Sequence, residues 1–241
     1  MDYRSIKEFK DTHKGKDIYV ICAGPSSDYF PARFFTDKIV IGVNNVFKKF
    51  PCNYVIAKDL RERPRFTRMV EEIKKTDIKL IFSEYHTAHL SDGKNKPNLA
   101  PEKRGWYFEH LDNKSAEMGD EVLSVIGTDK LVVSRSTVTS ALNLAAYMGA
   151  QNIILVGHDC GSIDGELYDP TYTESDWHSA DNYTSASKWV GSIEPQTIAV
   201  KKRLKLVYDC DVVSLNPFIN FGLEGHTYNS NSRDDSGQHI K

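Results

Sequence analysis

The stretch 131–160, LVVSRSTVTSALNLAAYMGAQNIILVGHDC, decides the fold. It opens on a short β-branched apolar run, Leu131, Val132 and Val133. Apolar residues then recur at Val138, Ala141, Leu142, Ala145 and Met148, the i, i+3, i+4 spacing of one helix face. Gly149 stands where a helix wants a left-handed residue at its end. A second apolar run, NIILV at 152–156, then closes on Gly157-His158-Asp159. The pattern predicts strand, helix, strand: a βαβ unit with a parallel crossover. In open α/β sheets ligands sit beyond the carboxyl ends of the strands. The polar clusters Ser134-Arg135-Ser136-Thr137 and Gly157-His158-Asp159 are therefore expected on one rim, and that rim reads as the site.

Outward from this unit the chain repeats its theme. Residues 18–23, IYVICA, form an apolar run without alternation, which suits a central parallel strand covered on both faces. It runs into Gly24-Pro25-Ser26-Ser27, a glycine turn followed by serines able to cap a helix and leave backbone amides for an anion. The run 39–43 ends at Asn44-Asn45, and 54–57 leads to Asp59. Residues 1–16 read as a short polar helix and a loop ending at Gly15. Phe66, Met69, Val70 and Ile73 give 65–75 helical spacing, and 78–82 is another strand. Residues 195–206 should be a helix, while 206–208 and 212–215 carry strand character. The stretch of about 83–130, with the aromatic patch Trp106-Tyr107-Phe108, is expected to be an insertion over the rim. About 161–190 is expected to be a lid-like loop and 229–241 a disordered tail. The whole chain, 1–241, thus reads as a single Rossmann-like nucleotide-binding transferase domain: an open, mostly parallel sheet with helices on both faces.

Composition narrows the function. At 241 residues, 40% hydrophobic and 27% charged, the chain can bury a sizeable core. The net charge is -2 and the lysines are scattered, which disfavours nucleic acid as a partner. The start, MDYRSIKEFKDTHKGKD, lacks the apolar core of a signal peptide, and no apolar run reaches the length of a membrane span, so a cytoplasmic location is expected. Four cysteines without a CxxC pair suggest buried free thiols rather than zinc or disulfides.

Neither GxGxxG nor GxxxxGK[ST] occurs, so the ordinary dinucleotide fingerprint and the P-loop are excluded. Gly24-Pro25-Ser26 alone would pass for a tight turn. Its company lifts it, because Asn44, Asn45, Asp59, Ser136, Thr137 and Asp159 fall at equivalent strand ends. Asparagine can read a base or ribose through paired donor and acceptor groups. Ser136 and Thr137 at a helix N-terminus, helped by Arg135 and flanked by Gly157, can hold a phosphate. Asp59 and Asp159 are candidate ligands for magnesium, with helix capping or a turn as the alternative. His158 and His178 are candidate general bases, against a plain surface or supporting place, and Asp159 is a third catalytic candidate. The implied partners are a nucleotide or nucleotide-sugar donor and a glycan or small-molecule acceptor; homo-oligomerisation stays open.

These residues together resemble a known superfamily. The strand-GPS phrase IYVICAGPSSDYF, the strand ending in Asn (IVIGVNNVF), the phrase STVTSALNLAAYMGAQNIILVGHDCG and the closing LNPF are similar to two branches of it. One holds the bacterial sialyltransferases of glycosyltransferase family 42, which use CMP-sialic acid. The other holds motility accessory factor and 6-hydroxymethylpterin pyrophosphokinase-like proteins, to which the likeness is closer; beside a glycosyltransferase, the resemblance leaves open a magnesium-dependent pyrophosphokinase-like enzyme using ATP and a nucleotide-binding protein without turnover. The resemblance covers 17–59 and 131–218. It implies nucleotide contacts at Gly24, Pro25, Ser26 and Asn44, sugar or phosphate contacts at Ser136 and Thr137, and a place by the ribose or phosphates for Asp159. It also sets Gly191 at the glycine before the sialyltransferase catalytic histidine, which leaves Ser192 in the histidine's position. Of the two tyrosines used on the leaving phosphate, one position holds Gly161 and Tyr168 lies near the other.

Overall fold

The computed structural model describes residues 4–58, 64–83, 105–111, 120–134, 136–160, 163, 166 and 193–215. Among them the strands are β1 (Arg4–Ser5), β2 (Asp17–Ile21), β3 (Ile39–Val43), β4 (Tyr54–Lys58), β5 (Lys79–Ser83), β6 (Gly105–Tyr107), β7 (Asn152–Val156) and β8 (Asp211–Ser214). The α-helices are α1 (Pro64–Ile73), α2 (Asp120–Leu123), α3 (Thr137–Tyr147) and α4 (Glu194–Tyr208). Every strand pair is parallel, in the order β1-β6-β5-β4-β3-β2-β7-β8. From β2 the chain steps outward through β3, β4, β5 and β6, then recrosses to lay β7 along the other side of β2. The strand order therefore reverses between β2 and β7, the topological switch point at which open α/β sheets leave a crevice.

The unalternating runs are explained by cover on both faces. Ile18 and Val20 of β2, with Ile41, Ile56, Ile153 and Leu155, pack against α3 and against Val200 and Leu204 of α4. Ile21, Val40 and Val156 face the other way, onto Phe35 and Val46 of short 3-10 turns and onto Phe50 just past the second. Met69 and Ile73 of α1 cover Val55, Ala57, Leu80 and Phe82 on that same side. All eleven residues of α3 are buried, so truncating a core member such as Leu142 to Ala should cost about 2–5 kcal/mol. Among the described residues no helix is long and apolar enough to cross a membrane.

The carbonyls at the C-terminal end of α3 find partners in the N-terminal segment. Tyr147, Met148 and Gly149 accept from the backbone amides of Asp11, His13 and Gly15 at 3.1, 2.8 and 2.9 Å. The expected polar helix in 1–16 is therefore a 3-10 turn, Ile6–Phe9, with Ile6 and Phe9 buried, preceded by edge strand β1. The residues around Gly149 follow expectation: the glycine takes φ +88 just past the helix.

Three further expectations change. Residues 131–133 belong to no strand: Leu131 N donates to Glu109 O just past β6 at 3.0 Å, and side chains of α3 take the Val132 backbone groups. Asn143 Oδ1 accepts from Val132 N at 2.9 Å, and Ser140 Oγ donates to Val132 O at 2.7 Å. The strand before the crossover is β6, which lies inside 83–130. That stretch accordingly supplies a member of the sheet, with Trp106 in the core, as well as any cover for the rim. Residues 206–208 form the last turn of α4, ended by Asp209 in the left-handed region at φ +52. Asn216, Pro217, the tail 229–241 and most of 161–190 lie outside the described residues.

Candidate functional site

The carboxyl ends of β2 and β7 are fastened to each other beyond their last ladder pair. Cys22 N donates to Val156 O and Gly24 N to Gly157 O, both at 2.8 Å. The approach is so close that a Cβ on Gly24 would lie 2.4 Å from Gly157 O and 2.6 Å from Asp159 Oδ2. Gly157, at φ +67, has the same constraint against Cys22 O. Only glycine fits at either position.

Asp159 completes the fastening. Its carboxylate, 3% exposed, accepts the Ser26 backbone N–H at 2.8 Å through Oδ2. The 3-10 turn Pro25–Tyr29 has Gly24 as N-cap and no side-chain cap of its own. Ser26 and Ser27 do not cap it; a carboxylate from the β7 exit binds its first N–H, that of Ser26, where an anion is favoured. Burial pushes the Cys22 thiol well above its ordinary range, and the Asp159 charge adds to the effect.

Three buried polar atoms gather at the ends of β2 and β3: Ser26 Oγ, Asn44 Oδ1 and Asn45 Oδ1 have no hydrogen-bond partner among the described residues. Asn44 sits in the left-handed region at φ +56, which turns the chain sharply off β3. On the facing side, Ser136 is the N-cap of α3 and accepts from Val138 N at 3.3 Å, with Thr137 the first helical residue. Beneath them Ser134 is tied down. Its amide donates to Thr139 Oγ1 at 3.2 Å, and its hydroxyl donates to Gln196 Oε1 on α4.

His158 and Asp159 are neighbours in sequence that point to different partners. Asp159 binds the β2 exit, whereas His158 Nε2 lies 2.8 Å from Thr197 Oγ1 of α4 and 3.2 Å from Cys160 Sγ. Gly24, Pro25, Ser26, Asn44, Asn45, Gly157, His158 and Asp159 thus lie at the carboxyl ends of β2, β3 and β7, and Ser136 and Thr137 at the N-terminus of α3. Asp59, Arg135, Tyr168 and His178 lie outside the described residues. Among the described residues no group of three His, Cys, Asp or Glu side chains could hold a metal ion.

Other rim residues escaped the sequence reading. Lys58 and Ser83, buried and paired in register, end β4 and β5. A lysine closing an otherwise apolar strand was a visible signal for the first. Gln196 and Thr197, buried on the first turn of α4, carried none, because only the fold brings that turn to the β7 exit.

No family model matches the sequence, and no curated protein matches it. Solved structures do show similar folds. The sialyltransferase CstII from Campylobacter jejuni, in complex with the substrate analogue cytidine-5'-monophosphate, is 14% identical with TM-score 0.48, over 85% of this chain and 81% of that one. The same enzyme with CMP-3FNeuAc gives 15% and 0.48 over 84% and 82%. The MAf glycosyltransferase from Magnetospirillum magneticum AMB-1 is 11% identical with TM-score 0.41, over 68% of this chain and 25% of that one.

Proposed function

We propose that the protein is a nucleotide-dependent transferase, a glycosyltransferase that uses a CMP-activated or other nucleotide sugar in surface polysaccharide or glycoconjugate synthesis. One observation carries the reading: three polar atoms, Ser26 Oγ, Asn44 Oδ1 and Asn45 Oδ1, are buried unpartnered at the strand ends beside the switch point. Each such group costs about 1–3 kcal/mol unless something supplies its hydrogen bond. A ribose and a base carry the donors and acceptors that would, and a phosphate would meet the Thr137 amide and the Ser136 and Thr137 hydroxyls at the α3 N-terminus. Bound so, the donor is oriented for attack, and the helix end stabilises the phosphate as it departs. The sequence resemblance to CMP-using enzymes supports cytidine as the base.

His158, engaged by Thr197, serves this reading as a support rather than a base. His178, in the stretch 161–190, is then the residue to remove a proton from the acceptor hydroxyl, with Arg135 and Tyr168 on the leaving phosphate. Asp159, committed to the Ser26 amide, suits a fastening role better than that of an open magnesium ligand beside Asp59, so no step is routed through a metal. Calorimetric titration with CMP, CDP, UDP, GDP and ATP tests the proposal. Binding of a cytidine nucleotide in the micromolar range is expected; no heat with any of the five refutes it.

A further inference from the structure

We infer that Gln196 and Thr197 are positioning residues for the nucleotide site, acting as a yoke that sets its two halves relative to each other; this rests on the proposed nucleotide reading. They are consecutive residues on the first turn of α4, 6% and 0% exposed. Gln196 Oε1 accepts the Ser134 hydroxyl, which fixes the loop that leads into the α3 N-terminus. Thr197 Oγ1 lies 2.8 Å from His158 Nε2, which fixes the β7 exit. Asp159, next in the chain, holds the Ser26 amide of the β2 exit. Hydrogen bonds and chain neighbours therefore run without a break from Ser134 through Gln196, Thr197, His158 and Asp159 to Ser26.

The turn is itself anchored. Thr197 donates its amide to Ile193 O at 3.0 Å, and Ile193 is buried in the main core. The pair therefore works from a rigid base rather than from a loop, the condition under which a supporting hydrogen bond can fix what it touches. The two arms reach opposite sides of the switch point: the phosphate half at Ser136 and Thr137, and the nucleotide half at Gly24 and Ser26. A ligand spanning both halves needs them held at one separation, because orientation is lost when supporting groups shift by about 1 Å. His158 acts here through Thr197 and is a positioning residue as well.

The test combines hydrogen exchange of the ligand-free full chain with CMP titration, on Gln196→Met, Thr197→Val and Thr197→Ser. Gln196→Met should speed amide exchange at 134–138, and Thr197→Val at 157–160 and at Ser26. Each should weaken CMP binding by about three- to tenfold, the loss of the one hydrogen bond it makes to the rim; Thr197→Val also loses the hydroxyl bond to Ile193 O within α4. Thr197→Ser should restore both readouts. Faster exchange confined to α4, or unchanged CMP affinity in both Gln196→Met and Thr197→Val, would overturn the yoke. Wild-type protein that binds no CMP while the exchange pattern holds would refute the nucleotide reading and leave the coupling standing.

Discussion

Asp159 and Ser26, 133 positions apart in the chain, are joined by a 2.8 Å hydrogen bond from the Ser26 amide to the Asp159 carboxylate. That contact closes the switch point, because it ties the exit of β7 to the exit of β2 in a setting where both groups are buried. Asp159→Ala strands the amide without an acceptor and should cost about 1.5–3 kcal/mol, the range for hydrogen bonds to charged groups. Asp159→Asn retains an oxygen acceptor and should cost less. Urea denaturation of the two variants measures the difference, and equal stability of both with wild type would contradict the fastening role.

Gly157 at the crossing and Gly15 ahead of β2 provide a graded comparison. Gly157→Ala places a methyl 2.4 Å from Cys22 O and asks an L-residue to hold φ +67. Gly15→Ala has a similar φ, +72, with nothing within 4 Å of the new methyl. The second should lose about 1–2 kcal/mol from the left-handed backbone alone, and the first clearly more, because backbone must move. Thermal melts of the two proteins side by side decide it; a Gly15 variant as damaged as the Gly157 variant would mean that the close approach is not what matters.

Much of this architecture was legible in sequence where one force acted alone. Continuous apolar runs such as 18–23 and 152–156 mark strands covered on both faces, and those became β2 and β7. The 131–133 run misled because burial and strand pairing are separable: Leu131 and Val132 are fully buried, yet Asn143 and Ser140 satisfy the Val132 backbone in place of a neighbouring strand. β6 was hidden by its length of three residues. At the site, the strand-end glycines and polar residues were readable because position alone places them on the rim. The divergence of His158 from Asp159 was not, since it depends on α4 arriving at the β7 exit from 39 positions away.

Buried asparagines of unlike bonding should respond differently to truncation. Asn45 Oδ1 has no partner among the described residues, so Asn45→Ala deletes no hydrogen bond from that oxygen and should leave stability within about 1 kcal/mol of wild type. Its cost should appear in CMP affinity, weakened about tenfold. Asn143→Ala removes the acceptor for Val132 N and should lose about 1–3 kcal/mol of stability. Urea midpoints and CMP titrations of the pair give four numbers. A destabilised Asn45→Ala that binds CMP normally would show that its amide oxygen is structural.

The N-terminal segment should make stability depend on pH. His13 Nε2 lies 2.8 Å from Tyr54 Oη. Burial, and then the nearby Lys79 ammonium, lower the His13 pKa below its ordinary value of 6.5. Lys79 also sits over the Tyr54 and Phe9 rings, 5.3 and 5.7 Å from their centroids, so a charged imidazole would enter a place already occupied by a cation. With the folded pKa depressed, the unfolded chain binds more protons between the two values, and stability rises with pH across that window. The contribution of neutral His13 is therefore full above about pH 6.5 and is lost as pH falls from there through the folded value. Urea midpoints measured from pH 7.5 down to 5 should decline more steeply for wild type than for His13→Gln. Added salt should flatten only the share due to Lys79, since screening weakens the charge repulsion and leaves burial untouched. A wild-type profile that runs parallel to that of His13→Gln at every salt concentration would remove His13 as the source.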